Sequence, residues 1–192
     1  YLLKKGQSEH APAADVEKLR RITVSAERML KFTRDLVTYA RPPTERPTAL
    51  NIAEVVDQAV VFCAHVVEEC GAKIAQAFEP DTPQVYGVKA QLVQVLINLV
   101  TNACHAMPLG AGQIRFEAHS LGDGRLLLRV SDNGRGIPEE HLKQVFEPFF
   151  TTKSEGQGTG LGLSIVRNIV EQHRGEIRVL SEVGRGTSFE IT

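Results

Sequence analysis

Between residues 15 and 41, Leu19, Ile22, Ala26, Met29, Thr33, Leu36 and Ala40 follow one another in alternating steps of three and four. That heptad seam over about three repeats predicts a single long helix with a coiled-coil or bundle interface. Asp15 is a candidate N-cap. Arg41-Pro42-Pro43 ends the helix, because a residue before proline avoids the α region, and 42–47 reads as a stiff linker and a domain boundary. Upstream, Tyr1 to Lys5 reads as the last turn of an earlier helix closed by Gly6, with a loop over 7–14.

The pattern then changes. A short strand near 48–50 precedes a helix over 51–70, with Asn51 and Glu54 in capping-box spacing and Gly71 at the C′ position. Residues 72–78 and 84–86 read as strands around a turn at Pro80-Asp81. Residues 88–106 form an amphipathic helix. Alternation over 113–120 and 125–131, around Gly122-Asp-Gly124, predicts a hairpin. A short helix over 139–146, a flexible segment over 151–159, a helix over 161–173 and strands over 176–180 and 187–191 complete the chain. Runs of strands and helices in this order define an α+β domain, a mixed sheet with helices on one face, over 48–192.

Composition narrows the setting only a little. The 192 residues are 42% hydrophobic and 23% charged, as in ordinary globular proteins, and long enough for one good core. A net charge of −1 exerts no general pull toward nucleic acid or anionic lipid. No run approaches the ~18 apolar residues of a membrane span, and no signal peptide is visible. Cys63, Cys70 and Cys104 have no paired spacing, which suits a reducing, cytoplasmic compartment. Cys63-x-His65 followed by Cys70 hints at metal, but these positions lie on a predicted amphipathic helix and are read as core. The chain starts at Tyr1 and is read as a piece of a longer protein, about whose anchoring to a membrane this stretch says nothing.

Four short motifs then stand in fixed order: Asn98-Leu-Val-Thr-Asn102-Ala, Asp132-Asn-Gly134-Arg-Gly136, Phe146-Glu-Pro-Phe149-Phe150 and Gly158-Thr-Gly160-Leu-Gly162. Asn98 and Asn102 are four apart on one helix, so both amides share a face. An amide oxygen can join the shell of a Mg²⁺ whose other ligands are phosphates, although such a pair can also bond within a core. Asp132 ends a strand where a carboxylate can accept a hydrogen bond from an adenine amino group, or can serve as a turn residue. Gly156, Gly158, Gly160 and Gly162 lie at a helix start, where free N–H groups cradle phosphate. Residues 151–157, with Lys153, form a candidate lid. The phenylalanines are read as an anchor for that lid. His105 could donate to a phosphate oxygen or face solvent.

With these residues in view, the chain resembles the bacterial two-component sensor histidine kinases. Residues 98–107 look like the family's N box, 132–136 its first glycine box, 146–150 its F box and 158–162 its second glycine box. The resemblance covers 48–192, and residues 1–41 resemble part of the dimerisation and phosphotransfer hairpin. It implies a Bergerat-type ATP-binding sandwich, with ATP and Mg²⁺ as cofactors. It makes Asn102 the main Mg²⁺ ligand with Asn98 assisting, and gives adenine to Asp132. Gly134 and Gly136 shape the base pocket beside Ile137, and Gly160 and Gly162 serve the phosphates. Lys153, His105, Thr159 and Leu161 complete the nucleotide set.

The ATP-hydrolysing relatives carry a glutamate base where this chain has Asn98, which cannot deprotonate water. Phosphoryl transfer to a histidine, and then to an aspartate of a response-regulator receiver domain, is the implied activity. A GHKL-type ATPase fragment and a non-catalytic nucleotide-sensing dimerisation module are the alternatives. The implied assembly is a homodimer through the 15–41 helix, with no nucleic acid and no membrane segment in this chain. The phosphoacceptor box is absent, since His10 is followed by Ala11 in a predicted loop. The fragment is therefore expected to bind nucleotide without phosphorylating itself. Arg174 stands where the family often has glycine and is expected to be a neutral surface change.

Overall fold

The computed structural model describes residues 13–40, 46–108, 110–153 and 158–192. The expectations for residues 1–12, including His10, for the proline stop at 41–43 and for the middle of the 151–159 segment fall outside those residues.

Helix α1 (Ala13–Ala40) begins two residues earlier than expected. Two alanines, the best helix formers, extend it, so Asp15 lies inside the first turn rather than at the cap. There it meets Lys18 at 3.0 Å. The apolar side chains Ile22, Met29, Leu30 and Val37 are exposed.

The chain then forms β1 (Thr48–Leu50), α2 (Ile52–Cys70), β2 (Lys73–Phe78), β3 (Val85–Gly87), α3 (Lys89–Ala106), β4 (Gln113–Ser120), β5 (Leu126–Asp132), a one-turn α4 (Glu139–Leu142), α5 (Gly162–Gln172), β6 (Ile177–Glu182) and β7 (Gly186–Ile191). Helix α2 starts on Asn51, whose side-chain oxygen accepts from the Ala53 N–H at 2.9 Å, and ends on Gly71. Where 139–146 was expected to be one helix, only the first turn is regular.

Five strands make one sheet in the order β2-β4-β5-β7-β6, with β2 and β4 parallel and the other neighbours antiparallel. The expected pairing of β2 with β3 does not occur. Strand β3 instead pairs antiparallel with the equally short β1, Ala49 opposite Tyr86. Strand β2 is drawn to β4, where Ile74 lies opposite Ile114 and Phe78 opposite Ala118. That register extends the sheet's apolar face, which a local hairpin would not do.

Period-two alternation sends Ile114, Phe116 and Ala118 of β4, Leu128 and Val130 of β5, and Phe189 of β7 to one side, all buried. Against them pack α2, α3 and α5, with α3 in contact with both other helices. The opposite face is polar. Arg129 bonds Glu190 at 2.7 Å and lies 3.7 Å from Glu117. The fold is thus two layers, with all three long helices of the domain on one face. Each fully buried Leu, Ile or Phe contributes roughly 1.5–3 kcal/mol.

The cysteines belong to this core. All three are free and buried, and burial pushes the Cys63 thiol up to about 11 and the Cys104 thiol up to about 12. Among the described residues no His, Cys, Asp and Glu cluster could hold a metal ion.

At the end of α5, His173 donates from Nδ1 to the Ile169 carbonyl at 2.7 Å and accepts the Val88 N–H at Nε2, 3.0 Å away. The C-terminus of α5 is thereby tied to the start of α3. The next residue, Arg174, is exposed, as expected, but has φ 59. That left-handed conformation costs an L-residue roughly 1–2 kcal/mol, so a glycine belongs there for backbone reasons. Arg174→Gly should raise unfolding stability by about 1 kcal/mol, read by urea denaturation. An unchanged or lower midpoint would show that the arginine side chain offsets the strain.

Candidate functional site

A cavity of about 440 Å³ opens between α3, the loop after β5, residues 150–153 and 158–162, and the β6–β7 turn. Its size suits a drug- or nucleotide-sized ligand. Of the sequence-predicted residues, Asn98, Asn102, Asp132, Gly136, Ile137, Lys153, Thr159, Gly160 and Gly162 line it. Three do not, though each adjoins the site. Gly134 supports Asp132 from behind. His105 is exposed on α3, where its Nδ1 lies 3.1 Å from Lys153 Nζ. The Leu161 side chain is buried in the core, and its N–H bonds Thr159 Oγ1 at 3.3 Å.

The amides have different duties. Asn98 donates from Nδ2 to the Gly162 carbonyl at 3.1 Å and accepts from Gln94 at Oδ1. The Nδ2 end thus holds α3 to the first residue of α5, while the Oδ1 end is taken by a neighbour on α3 itself. Asn102 directs Oδ1 toward Lys153 Nζ, 3.4 Å away. A lysine ammonium against that oxygen marks it as a place that accepts a cation. The donor set therefore fits a hard divalent ion completed by phosphate oxygens.

Asp132 is the last residue of β5. Its Oδ1 accepts the Gly134 N–H at 2.8 Å, and the backbone N–H of Thr187 also favours the charged carboxylate. Burial raises its carboxyl above the usual aspartate range, against the downward pull of those two N–H groups. The backbone around it leaves no room for side chains. Gly136 has φ 73, and a Cβ there would overlap the Glu182 carbonyl. Gly160 has φ 68, and a Cβ would run into the Phe149 backbone. The Phe149 N–H donates to the Gly160 carbonyl at 2.9 Å, so the two motifs hold each other.

The phenylalanines divide as anchors. Phe146 meets Phe189 edge-on at 6.3 Å, and Phe150 meets His141 at 5.4 Å. Phe149 is exposed, with φ 68.

Sequence reading missed several lining residues, among them Thr187, Arg135, Val183 and Phe189. Thr187 is 5% exposed and pairs with Asp132 across β5 and β7. Its signal was the turn Gly184-Arg-Gly186 directly before it, which reads as an ordinary hairpin until β7 is placed beside β5.

A mixed sheet covered by helices on one face, with amides, a buried aspartate and glycine-lined backbone around one cavity, defines a nucleotide-binding ATPase-type domain. Residues 87–192 match the family profile described as histidine kinase-, DNA gyrase B-, and HSP90-like ATPase, and the chain belongs to that family. The sensor kinase CckA of Brucella abortus is 37% identical over 188 residues, covering 88% of this chain and 19% of CckA. The sensor histidine kinase ZraS of Salmonella typhi is 32% identical over 166 residues, covering 86% of this chain and 35% of ZraS. Full-length ShkA in complex with AMPPNP superposes with a TM-score of 0.77 at 27% identity, over 93% of this chain and 37% of ShkA. The chain thus spans between about a fifth and about a third of the length of these two curated relatives.

The raised carboxyl sets the direction of a stability effect. A carboxyl whose folded value exceeds its unfolded value costs stability as pH rises through that interval. Asp132→Asn should therefore melt at or above the wild-type temperature at pH 7, with the two curves converging below about pH 4. The same substitution should weaken adenine-nucleotide binding at least about tenfold. A destabilised Asn variant at pH 7 would mean that the two N–H bonds outweigh desolvation.

Proposed function

We propose that this chain is the ATP-binding catalytic region of a sensor histidine kinase. It would present the γ-phosphoryl of Mg²⁺-ATP to a histidine, from which it passes to an aspartate of a response-regulator receiver domain. The observation that carries this is the convergence of Asn102, Asp132, Gly160 and Gly162 on one cavity. Asp132 accepts from the adenine amino group at the sheet end. Gly136 keeps the loop after β5 close to the flat base, beside Ile137. Gly160 and Gly162 bring backbone to the phosphates at the start of α5, and Thr159, Lys153 and His105 lie on the same side.

Asn102 Oδ1 would hold Mg²⁺, which when bound neutralises phosphate charge. Asn98 acts by fixing α3 against α5. The catalytic contribution of these residues is positioning and charge neutralisation. Transfer breaks the bond from the γ-phosphorus to the bridging oxygen, forms a nitrogen–phosphorus bond on the acceptor imidazole and releases ADP.

Phosphoryl transfer is favoured over hydrolysis by the carboxylates. Asp132 is the only carboxylate among the described lining residues, and the Gly134 N–H already occupies its Oδ1. Asn98 offers no base. Helix α1 carries no histidine, so an acceptor must be supplied from elsewhere. Its exposed apolar residues Ile22, Met29, Leu30 and Val37 suit pairing with a second copy. No helix among the described residues is long and apolar enough to cross a membrane, and we assign the phosphoryl chemistry to the cytoplasm.

Titration calorimetry with a non-hydrolysable ATP analogue tests the site. Wild type should bind with Mg²⁺, and Asn102→Ala should lose about tenfold or more of that affinity while retaining most of its metal-free ADP binding. A histidine hairpin supplied in trans should become phosphorylated. No binding by wild type would remove the proposal, and steady ATP turnover without an acceptor would favour the hydrolytic alternative. Sedimentation equilibrium should show dimers, and monomers alone at high concentration would exclude the pairing.

A further inference from the structure

Beneath the cavity lies a hydroxyl chain that the nucleotide reading leaves without a task. Ser181, on β6, does not line the cavity. It accepts the Ile137 N–H at 2.8 Å, donates to the Gly186 carbonyl at 2.9 Å and lies 2.9 Å from Thr187 Oγ1. A serine hydroxyl has one proton and two lone pairs. The Ile137 N–H can only donate, so it takes one lone pair. The Gly186 carbonyl can only accept, and Gly186 is buried. Its bond with Ser181 therefore takes the serine proton. The contact with Thr187 is then decided, and Thr187 donates its proton to Ser181.

The consequence reaches the cavity. With its proton turned toward β6, Thr187 presents only lone pairs to the space it lines with Asp132. Asp132 is likewise an acceptor, its carboxylate already fed by the Gly134 and Thr187 N–H groups. Asp132 and Thr187 therefore both ask for donors. An exocyclic amino group, met directly or through a water that donates to both, satisfies them. A carbonyl at the same ring position opposes them.

We propose that Ser181 is a specificity-determining positioning residue: by accepting the Thr187 proton it fixes the Asp132–Thr187 pair as acceptors and so selects a 6-amino purine over a 6-oxo purine. This rests on the adenine-nucleotide reading of the cavity and deepens it. A structural role through the Ile137 N–H alone would weaken all nucleotides alike, so the measurement that matters is a ratio.

The experiment compares Mg²⁺-ADP and Mg²⁺-IDP binding by calorimetry on the 192-residue chain, with circular dichroism melting as the check on folding. IDP carries a carbonyl where ADP carries the amino group. Wild type should favour ADP by at least about tenfold. Ser181→Ala frees the Thr187 proton to turn into the cavity, and the ADP/IDP preference should fall by about fivefold or more. Ser181→Thr keeps the hydroxyl and should restore the preference. Thr187→Val should lower the preference by itself, and adding Ser181→Ala to it should change the ratio no further.

If Ser181→Ala does not fold, Ser181→Cys, close in shape and a far weaker hydrogen bonder, takes its place in the same comparison. A folded serine variant with an unchanged ADP/IDP ratio overturns the proposal, as does an equal further fall on the Thr187→Val background. Wild type that binds neither nucleotide, or both equally, overturns the adenine reading itself.

Discussion

Helix α3 has to satisfy three neighbours at once, and the rest of the domain is arranged around that constraint. Leu96, Leu99, Val100 and Ala103 are buried between the sheet, α2 and α5. The remaining stripe carries the two asparagines. Because α3 is wedged by packing, its amides cannot drift. Asn98 then locks the helix to the first residue of α5, and the Val88–His173 bond secures the far ends of the same pair. Two hydrogen bonds about half a helix apart hold α3 and α5 in one alignment, and the cavity is the space that alignment leaves beyond Asn102. Even the lack of a side chain at Gly87 serves it, since a Cβ there would come within 3 Å of the His173 ring.

The site is kept at some expense to stability. Asp132 is held where burial opposes its charge, and only two backbone N–H groups compensate. The backbone before α5 and after β5 takes conformations that exclude side chains. Active sites concentrate such costs because the geometry they need is not the geometry a free chain prefers. The apolar layer beneath repays them. Phe116, Ile114 and Ala118 are fully buried at the centre of the sheet, where each large side chain is worth about 2 kcal/mol or more. The strain at Arg174 is different, for it lies on the surface away from the cavity and no ion pair of the described residues involves it.

The loop after β5 shows how a binding surface depends on strands distant in sequence. Its backbone is fixed from the β6–β7 hairpin, by the Ile137 N–H to the Ser181 hydroxyl and by the Gly184 N–H to the Arg135 carbonyl, both at 2.8 Å. The base end of the cavity is thus as rigid as the sheet. The phosphate end is built on shorter tethers, chiefly the Phe149–Gly160 bond and the Lys153 contacts with Asn102 and His105. Under the proposed function, the firmly held end would recognise the base and the other would cover the phosphates, a sensible division for a site that must release product.

Much of this was legible in the chain itself. Period-two alternation found β4 and β5, and the 3.6 period found α2, α3 and α5, because each element buries one face and the burial leaves its period in the residues. The four motifs named about half of the cavity lining, because amides, carboxylate and glycines are scarce chemistry at fixed spacing. What the sequence could not decide were relations between segments that no local pattern encodes. Strand β2 left β3 for a parallel partner forty residues on, since only that register extends the buried face. Thr187 read as an ordinary strand residue and Ser181 fell just past the expected 176–180 strand, until β7 lay between β5 and β6. Arg174 read as a surface side chain because a backbone angle has no letter. Local periodicity is set by which side of an element meets the core, whereas strand order, hydroxyl orientation and left-handed corners are set by what the rest of the chain brings alongside, and those were decided by the tertiary structure alone.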